Sequence, residues 1–304
     1  MTDDDEGWLP FICRLDGEGE VDDPAMWHKA NPSLEYLPSL QKEIRKEYGA
    51  YKRGESALSF LTKRMNLPKT DTETHVTAWE NILATNQPLP DLTGRPCVAG
   101  IDYAEISDFA SAGFLFREGD LRYWIPHAWL CARSRDIGRI RAPWRDWESA
   151  GLLTVVDDAV IDAGLIAAWI ERTATRYALR GIALDNFRFQ LMRRALKEIG
   201  FDTATPGKRL YLCHKSGEMK IAPVVESMFA QHQVIWGDNP LMRWAVNNTK
   251  MERDKTSGNL SFGKIEPKSR KTDPFMALVA AMQIEDELDT GPAARLEDIQ
   301  VLTF

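Results

Sequence analysis

Cysteine is scarce. Cys13, Cys97, Cys131 and Cys213 are far apart and show no CxxC spacing, so neither a zinc site nor a disulfide framework is expected and reduced thiols are the default. Long apolar runs are missing too: no stretch approaches the roughly 18 apolar residues of a membrane helix. The opening residues, MTDDDEGWLPF, are acidic where a secretory leader is basic and then apolar. A cytoplasmic chain with no membrane partner is expected. Nucleotide-binding signatures fail as well. The nearest approach to a P-loop, ATPGKRL, lacks the first glycine and has Arg209 after its lysine, and GxGxxG is absent. GxSxG is also missing, and the histidines (His28, His75, His127, His214, His232) form no HExxH. His214, in YLCHKSG, reads as a surface or half-buried residue. No internal repeat or low-complexity segment occurs.

What is present is an ordinary globular composition, 304 residues of which 44% are hydrophobic and 27% charged. Such a chain can bury a sizeable core, and its length suggests one large domain plus something smaller. The net charge of -7 argues weakly against nucleic acid, but the average hides uneven patches. Asp3 to Asp23 holds nine acidic residues and one basic, whereas Arg133 to Arg145 (RSRDIGRIRAPWR), which contains Arg141, has five arginines and one aspartate. Arg188 to Lys220 has eight basic against three acidic residues, and Lys250 to Lys271 seven against three. Blocks like these can supply a local positive surface on a negative protein; solvated helix faces are the plainer reading.

Residues 1–35 are loop-rich. Leu40, Ile44 and Tyr48 have helical spacing within Leu37 to Tyr51, and a short helix is expected from Ser56 to Met65. The polar, proline-containing stretch from there to Pro96 reads as a linker, with a boundary near residues 80–95. Strand-like runs follow at Cys97 to Tyr103, Ala110 to Arg117 and Leu121 to Leu130, the last two joined by the hairpin signal EGD. A short β-rich run covers Leu152 to Val156, then an amphipathic helix begins at an Asp162 cap, then the buried-type strand GIALD (181–185) and a helix from Phe187 to Ile199. Further helices are expected at Lys220 to Gln231 and Pro240 to Asn247, a hairpin through DKTSGN, and a final helix from Asp273 to about Leu288. Alternating strands and helices argue for an α/β sheet covered on its faces.

Aspartates recur at element ends. Asp102 follows VAGI, Asp185 follows GIAL, and Asp273 opens PFMALVAAM. In an α/β sheet, ligands sit beyond the carboxyl ends of the strands. Carboxylates converging there repel one another unless a cation lies between them, and hard oxygen donors suit magnesium or manganese. Such a site can hold two ions about 3.5–4 Å apart and serve phosphodiester hydrolysis. Each residue also has a local explanation: Asp273 as an N-cap ahead of Pro274, Asp185 and Asp102 as turn residues.

The ordered segments GIDYAEISDFASAGFLF, APWRDWESAGLLTVVDDAVID, GIALDNFRFQLMRRALKEIGF, DNPLMRWAVNN and KSRKTDPFMALVAAM together resemble the nuclease domain of tailed-phage terminase large subunits. Upstream, WHKANPSL and FLTKRMNL resemble the segment that joins the terminase ATPase to its nuclease. The resemblance spans about residues 8–288. It implies an RNase H-like mixed sheet flanked by helices, after a short helical N-terminal linker region. Residues 1–90 would be the edge of an ATPase domain plus that linker, 91–290 the nuclease, and 291–304 a tail. It further implies that Asp102, Asp185 and Asp273 bind two Mg2+ or Mn2+ ions, with Asp108 as an accessory ligand. Lys268 and Lys271 would face a phosphate, and Arg188 and Arg141 would join them on the DNA backbone. Walker motifs are missing, and the resemblance implies that WLPFICRLD would be the final strand of the ATPase, so no ATP hydrolysis is expected of this chain.

The expected activity is a metal-dependent endonuclease that cuts concatemeric double-stranded DNA with little sequence preference. Its implied partners are portal protein, small terminase subunit and an ATPase domain, in the host cytoplasm and outside the mature virion. Alternatives stay open: a catalytically silent DNA-binding or docking module, a resolvase- or transposase-type enzyme on the same fold, and an actin-like kinase. The last is disfavoured because YAEIS follows Asp102 where a phosphate-binding turn wants glycines.

Overall fold

The computed structural model describes residues 12–289 except 54–56, 68–74, 104–108, 135–136, 141, 159, 187, 206–207, 255–256 and 267–268. Asp108, Arg141 and Lys268 lie outside the described residues. Two compact units divide at residues 72 and 73.

The first unit is helical. Helices α1 (Pro38–Lys52) and α2 (Ala57–Lys63) surround a small core of Leu15, Trp27, Leu34, Ile44, Phe60 and Met65. Buried Trp27 satisfies its indole N–H on the Val21 carbonyl at 2.9 Å. The stretches WHKANPSL and FLTKRMNL meet here: Asn31 Nδ2 donates to the Arg64 carbonyl at 2.7 Å, and Asn66 Nδ2 to the Ala30 carbonyl at 3.1 Å. Where the chain enters and leaves, Asn66 Nδ2 also donates to the Cys13 carbonyl at 2.8 Å and Leu15 N–H to the Met65 carbonyl at 3.2 Å.

The second unit contains α3 (Trp79–Leu83), β1 (Pro96–Asp102), β2 (Phe109–Glu118), β3 (Leu121–Cys131), α4 (Trp144–Ser149), β4 (Leu153–Val156), α5 (Ala163–Ala174), β5 (Ala178–Asp185), α6 (Phe189–Glu198) and β6 (Arg209–Cys213). After these come α7 (Lys215–Ala230), β7 (Val234–Ile235), α8 (Pro240–Asn247), the antiparallel pair β8 (Thr249–Arg253) and β9 (Leu260–Lys264), and α9 (Asp273–Met282). Residues 75–95 belong to this unit and not to a linker: Val76 and Ile82 are buried in its core, and Val76 N–H donates to the Thr249 carbonyl.

The sheet is mixed and seven-stranded, in the order β4-β3-β2-β1-β5-β6 with β7 beside β3. Strands β1, β2 and β3 form an antiparallel meander, while β5 and β6 continue parallel from β1. Gly119, with φ +59°, is the first of the two turn residues between the Glu118–Leu121 pair, the position a tight two-residue hairpin reserves for glycine. Strand β1 is apolar on both faces because both are covered. Cys97, Ala99 and Ile101 pack with Ile166 and Ile170 of α5 and Met192 and Leu196 of α6. Val98, on the opposite face, packs with apolar residues of α7, α8 and α9. At Gly100 the two layers nearly touch: a Cβ there would stand 2.0 Å from the Ala277 carbonyl oxygen and 2.6 Å from the Ala281 nitrogen of α9. Among the described residues no helix is long and apolar enough to cross a membrane.

Candidate active site

Side chains alternate along a strand, so Asp102 shares its face with Val98 and Gly100, the face that carries α9. Parallel pairing of β1 with β5 runs through Gly100–Ala183 and Ile101–Leu184. One residue further, Asp102 and Asp185 are the adjacent last residues of two parallel strands. Ala183, two residues before Asp185, belongs to the α9-side core, so Asp185 shares that face as well. Asp273 is the first residue of α9, whose path over the sheet is fixed by the contact at Gly100. The three carboxylates therefore come from β1, β5 and α9.

Their mutual influence is large. The Asp102 carboxyl is pushed up to about 8, by burial first and then by the Asp273 carboxylate; Lys264 opposes this, Asp185 adds to it, and Arg188 opposes it. Like charges and burial both disfavour the ionised form. Asp273 is 5% exposed, and its Oδ2 is buried without a hydrogen-bond partner. Lys264 Nζ lies 3.6 Å from that oxygen, an ion pair without a hydrogen bond. Thr272, which makes no side-chain cap bond, occupies the cap position of α9, and Asp273 follows it as the first helical residue. Asp273 thus stands one position past the cap, and among the described residues the positive end of the helix dipole and Lys264 offset the burial of its carboxylate.

A cleft of about 190 Å³ opens beside Asp102 and Asp185. Its other walls are Cys213, His214, Lys215 and Glu218 from β6 and α7, and Met276, Ala280 and Gln283 from α9. Asp185 is paired with Cys213 in the sheet register. Glu218 accepts from the Phe262 N–H at 2.8 Å and from Lys215 Nζ at 2.6 Å, tying α7 to β9 at the cleft. Among the described residues, no three His, Cys, Asp or Glu side chains are drawn together as a ready-made metal cage. Magnesium-like ions keep several waters and take few direct carboxylates, so a looser set with an orphaned, buried carboxylate oxygen suits them.

Of the cations expected to meet DNA, Arg188 is exposed at the start of α6 and close enough to act on Asp102. Lys271 is only 8% exposed, and its carbonyl accepts from the Asn248 side chain at 3.3 Å. Sequence reasoning missed Lys264, Lys215 and Glu218. Lys264 lay within a recognised basic block, but its approach to Asp273 depends on the return strand of the β8–β9 hairpin. Lys215 and Glu218 were obscured because α7 begins five residues earlier than the sequence suggests. Gly217 is tolerated inside that helix because the Gln283 amide fills the space where its Cβ would stand, with Oε1 at 2.0 Å.

The mixed sheet flanked by helices is the architecture expected from the sequence, and it carries acidic residues at the ends of its central strands and at the start of its last helix. Residues 2–287 match the family described as "Terminase large subunit, endonuclease domain", and the chain belongs to that family. No curated protein matches it. Among solved structures, the large terminase of bacteriophage HK97 is similar in fold, with TM-score 0.60 and 17% identity over 91% of this chain and 57% of that one. This chain therefore spans little more than half the length of that terminase. The large terminase nuclease from thermophilic phage G20c matches with TM-score 0.45 and 11% identity, over 68% of this chain and 97% of its own length. The same nuclease with bound magnesium gives 0.44 and 11%, over 70% and 97%.

Proposed function

We propose that this chain is the endonuclease of a viral genome-packaging terminase, cutting concatemeric double-stranded DNA with help from two Mg2+ or Mn2+ ions and with little sequence preference. The observation that carries the reading is the Asp273 Oδ2 atom, buried without a hydrogen bond within electrostatic reach of Asp102. A polar atom in that state is costly unless a cation satisfies it.

Asp102, Asp185 and Asp273 would hold the ions, and Asp108 would assist. Ions of this kind lower the pKa of a bound water and stabilise the attacking and departing oxygens of a phosphodiester displacement. The chain's own contribution is positioning. Two adjacent strand ends and one helix start fix the carboxylates on rigid elements, and the Gly100 contact sets the distance of the helix from the sheet. Arg188 and Lys215 would meet the DNA backbone, joined by Lys268 and Arg141; such contacts orient a duplex without reading its bases. Portal protein, small terminase subunit and an ATPase domain would be its partners, in the host cytoplasm.

The test is nicking of supercoiled plasmid in magnesium or manganese. Asp102→Asn and Asp185→Asn are expected to lower the rate by about 100-fold or more, the scale of losing one preorganised charge contact, while circular dichroism stays unchanged. Full activity in both variants sinks the assignment. DNA binding without cleavage by the unaltered chain would favour a silent module. Activity should also fall steeply with salt, as phosphate-directed binding does.

A further inference from the structure

Lys264 ends β9, and its ammonium lies 3.6 Å from Asp273 Oδ2, the same oxygen that has no hydrogen-bond donor. The lysine is partly exposed while the aspartate is buried, 38% against 7% by side chain. The same charge also acts on Asp102, where it opposes the repulsion from Asp273. One cation thus serves two of the three acidic residues. Its backbone is held close by two bonds at Phe262: the Phe262 N–H donates to Glu218 Oε1 at 2.8 Å, and the Phe262 carbonyl accepts from Lys215 Nζ at 3.4 Å. Those bonds belong to α7 and do not depend on Asp273.

We propose that Lys264 is a built-in counter-cation of the acid cluster, a positioning residue that neutralises Asp273 in the metal-free protein and competes with a divalent ion for that carboxylate. The inference rests on the metal-site reading above. Two consequences follow from simple electrostatics. The metal-free fold tolerates three neighbouring carboxylates in part because the Lys264 charge, beside that of Arg188 on Asp102, is already among them. The divalent ion binds more weakly than the carboxylates alone would allow, since it enters against a fixed positive charge and must win Asp273 from it.

Mn2+ titration, followed by electron paramagnetic resonance or calorimetry, reads this directly on the whole chain. Lys264→Met is expected to tighten Mn2+ binding by about tenfold, the effect of removing a unit charge a few ångströms away under strong water screening. Its metal-free melting temperature should fall, and saturating Mn2+ should erase most of that deficit. Lys264→Arg, which keeps the charge, should restore affinity close to the starting value. Lys197→Met, an equal charge change on an exposed position of α6, should leave Mn2+ affinity unaltered. Unchanged or weaker binding in Lys264→Met, with a fold intact by circular dichroism, overturns the proposal. Absence of Mn2+ binding in the unaltered chain instead overturns the metal-site reading beneath it.

Discussion

Replacing Gly100 with alanine adds a single methyl group at the closest point between the sheet and α9. That carbon would stand 2.0 Å from the Ala277 oxygen, 2.6 Å from the Ala281 nitrogen and 2.9 Å from the Ala281 Cβ. Two of the three atoms are backbone, so no rotamer change relieves the clash. Restoring ordinary contact near 3.5 Å requires α9 to move by about 1 Å or more. Overpacking of this kind costs about 1–3 kcal/mol, which for a domain of this size lowers the melting temperature by roughly 2–4 °C per kcal/mol. The functional cost should be larger. Gly100 lies two residues before Asp102 on the same face, and the helix that must move carries Asp273. A displacement of about 1 Å between catalytic groups can remove about two orders of magnitude in rate. Gly113, the pairing partner of Gly100 on β2 and on the same face of the sheet, provides a comparison: a Cβ there meets the Trp124 ring at 2.4 Å, a side chain rather than the backbone of α9. Thermal unfolding and manganese-dependent plasmid nicking should be measured on both alanine variants. Gly113→Ala should lose stability with a modest loss of rate, and Gly100→Ala should lose both heavily. If Gly100→Ala melts within a degree of the parent and nicks DNA normally, the idea that this contact sets the site is refuted.

Other perturbations test other parts of the structure. In EDTA, Asp102→Asn should stabilise the protein, and more so at pH 8 than at pH 5. The folded carboxyl is raised above its unfolded value, so between about pH 4 and 8 the native state holds the extra proton and its stability falls as pH rises; a flat difference between the two melting curves across that range would contradict the shift. Arg122→Gln should cost about 3 kcal/mol in urea unfolding, because it removes one of two arginines from Glu285, a carboxylate 7% exposed by side chain. A loss under about 0.5 kcal/mol would mean that Arg117 alone suffices. His127 is held down to about 4 by burial and by Arg172, and it stacks on Trp169 with ring centroids 5.4 Å apart. The unfolded chain therefore binds a proton there between about pH 6.5 and 4 that the native state refuses, and stability falls as pH falls through that window; His127→Gln should reduce this acid sensitivity in melting curves.

The meander and the two strand-end aspartates were legible because their physics is local. Buried strands of the parallel half read as unbroken apolar runs, and a carboxylate that ends such a run stands out. Helix α8 was placed at Pro240–Asn247 from sequence and is found there; Pro240 opens it, and the Asn239 side chain accepts from the Met242 N–H at 2.9 Å. Strand β6 was not seen. Leu210 and Leu212 face one core while Tyr211 and Cys213 face the other, so RLYLC shows no polar alternation, and it lies inside the block from Arg188 to Lys220 that stands out for its positive charge. Strand β7, of two residues, exists only because β3 offers it an edge. The three-dimensional part of the candidate site was illegible for a similar reason. Nothing in the order of residues 260–273 says that a hairpin strand returns beside the start of the last helix, and that return alone brings Lys264 to Asp273.

The small helical unit has a mechanical consequence. Its chain enters and leaves through one clasp, where Asn66 Nδ2 grips the Cys13 carbonyl and Leu15 N–H grips that of Met65. Tension applied between residues 13 and 67 would load these two bonds before it reached α1 or α2, so the fifty residues between them are held out of the load path. The unit can transmit a pull across a few ångströms while its aromatic core stays folded. The chain between the two bonds comes under load only after both of them and the core contacts of Leu15 and Met65 give way.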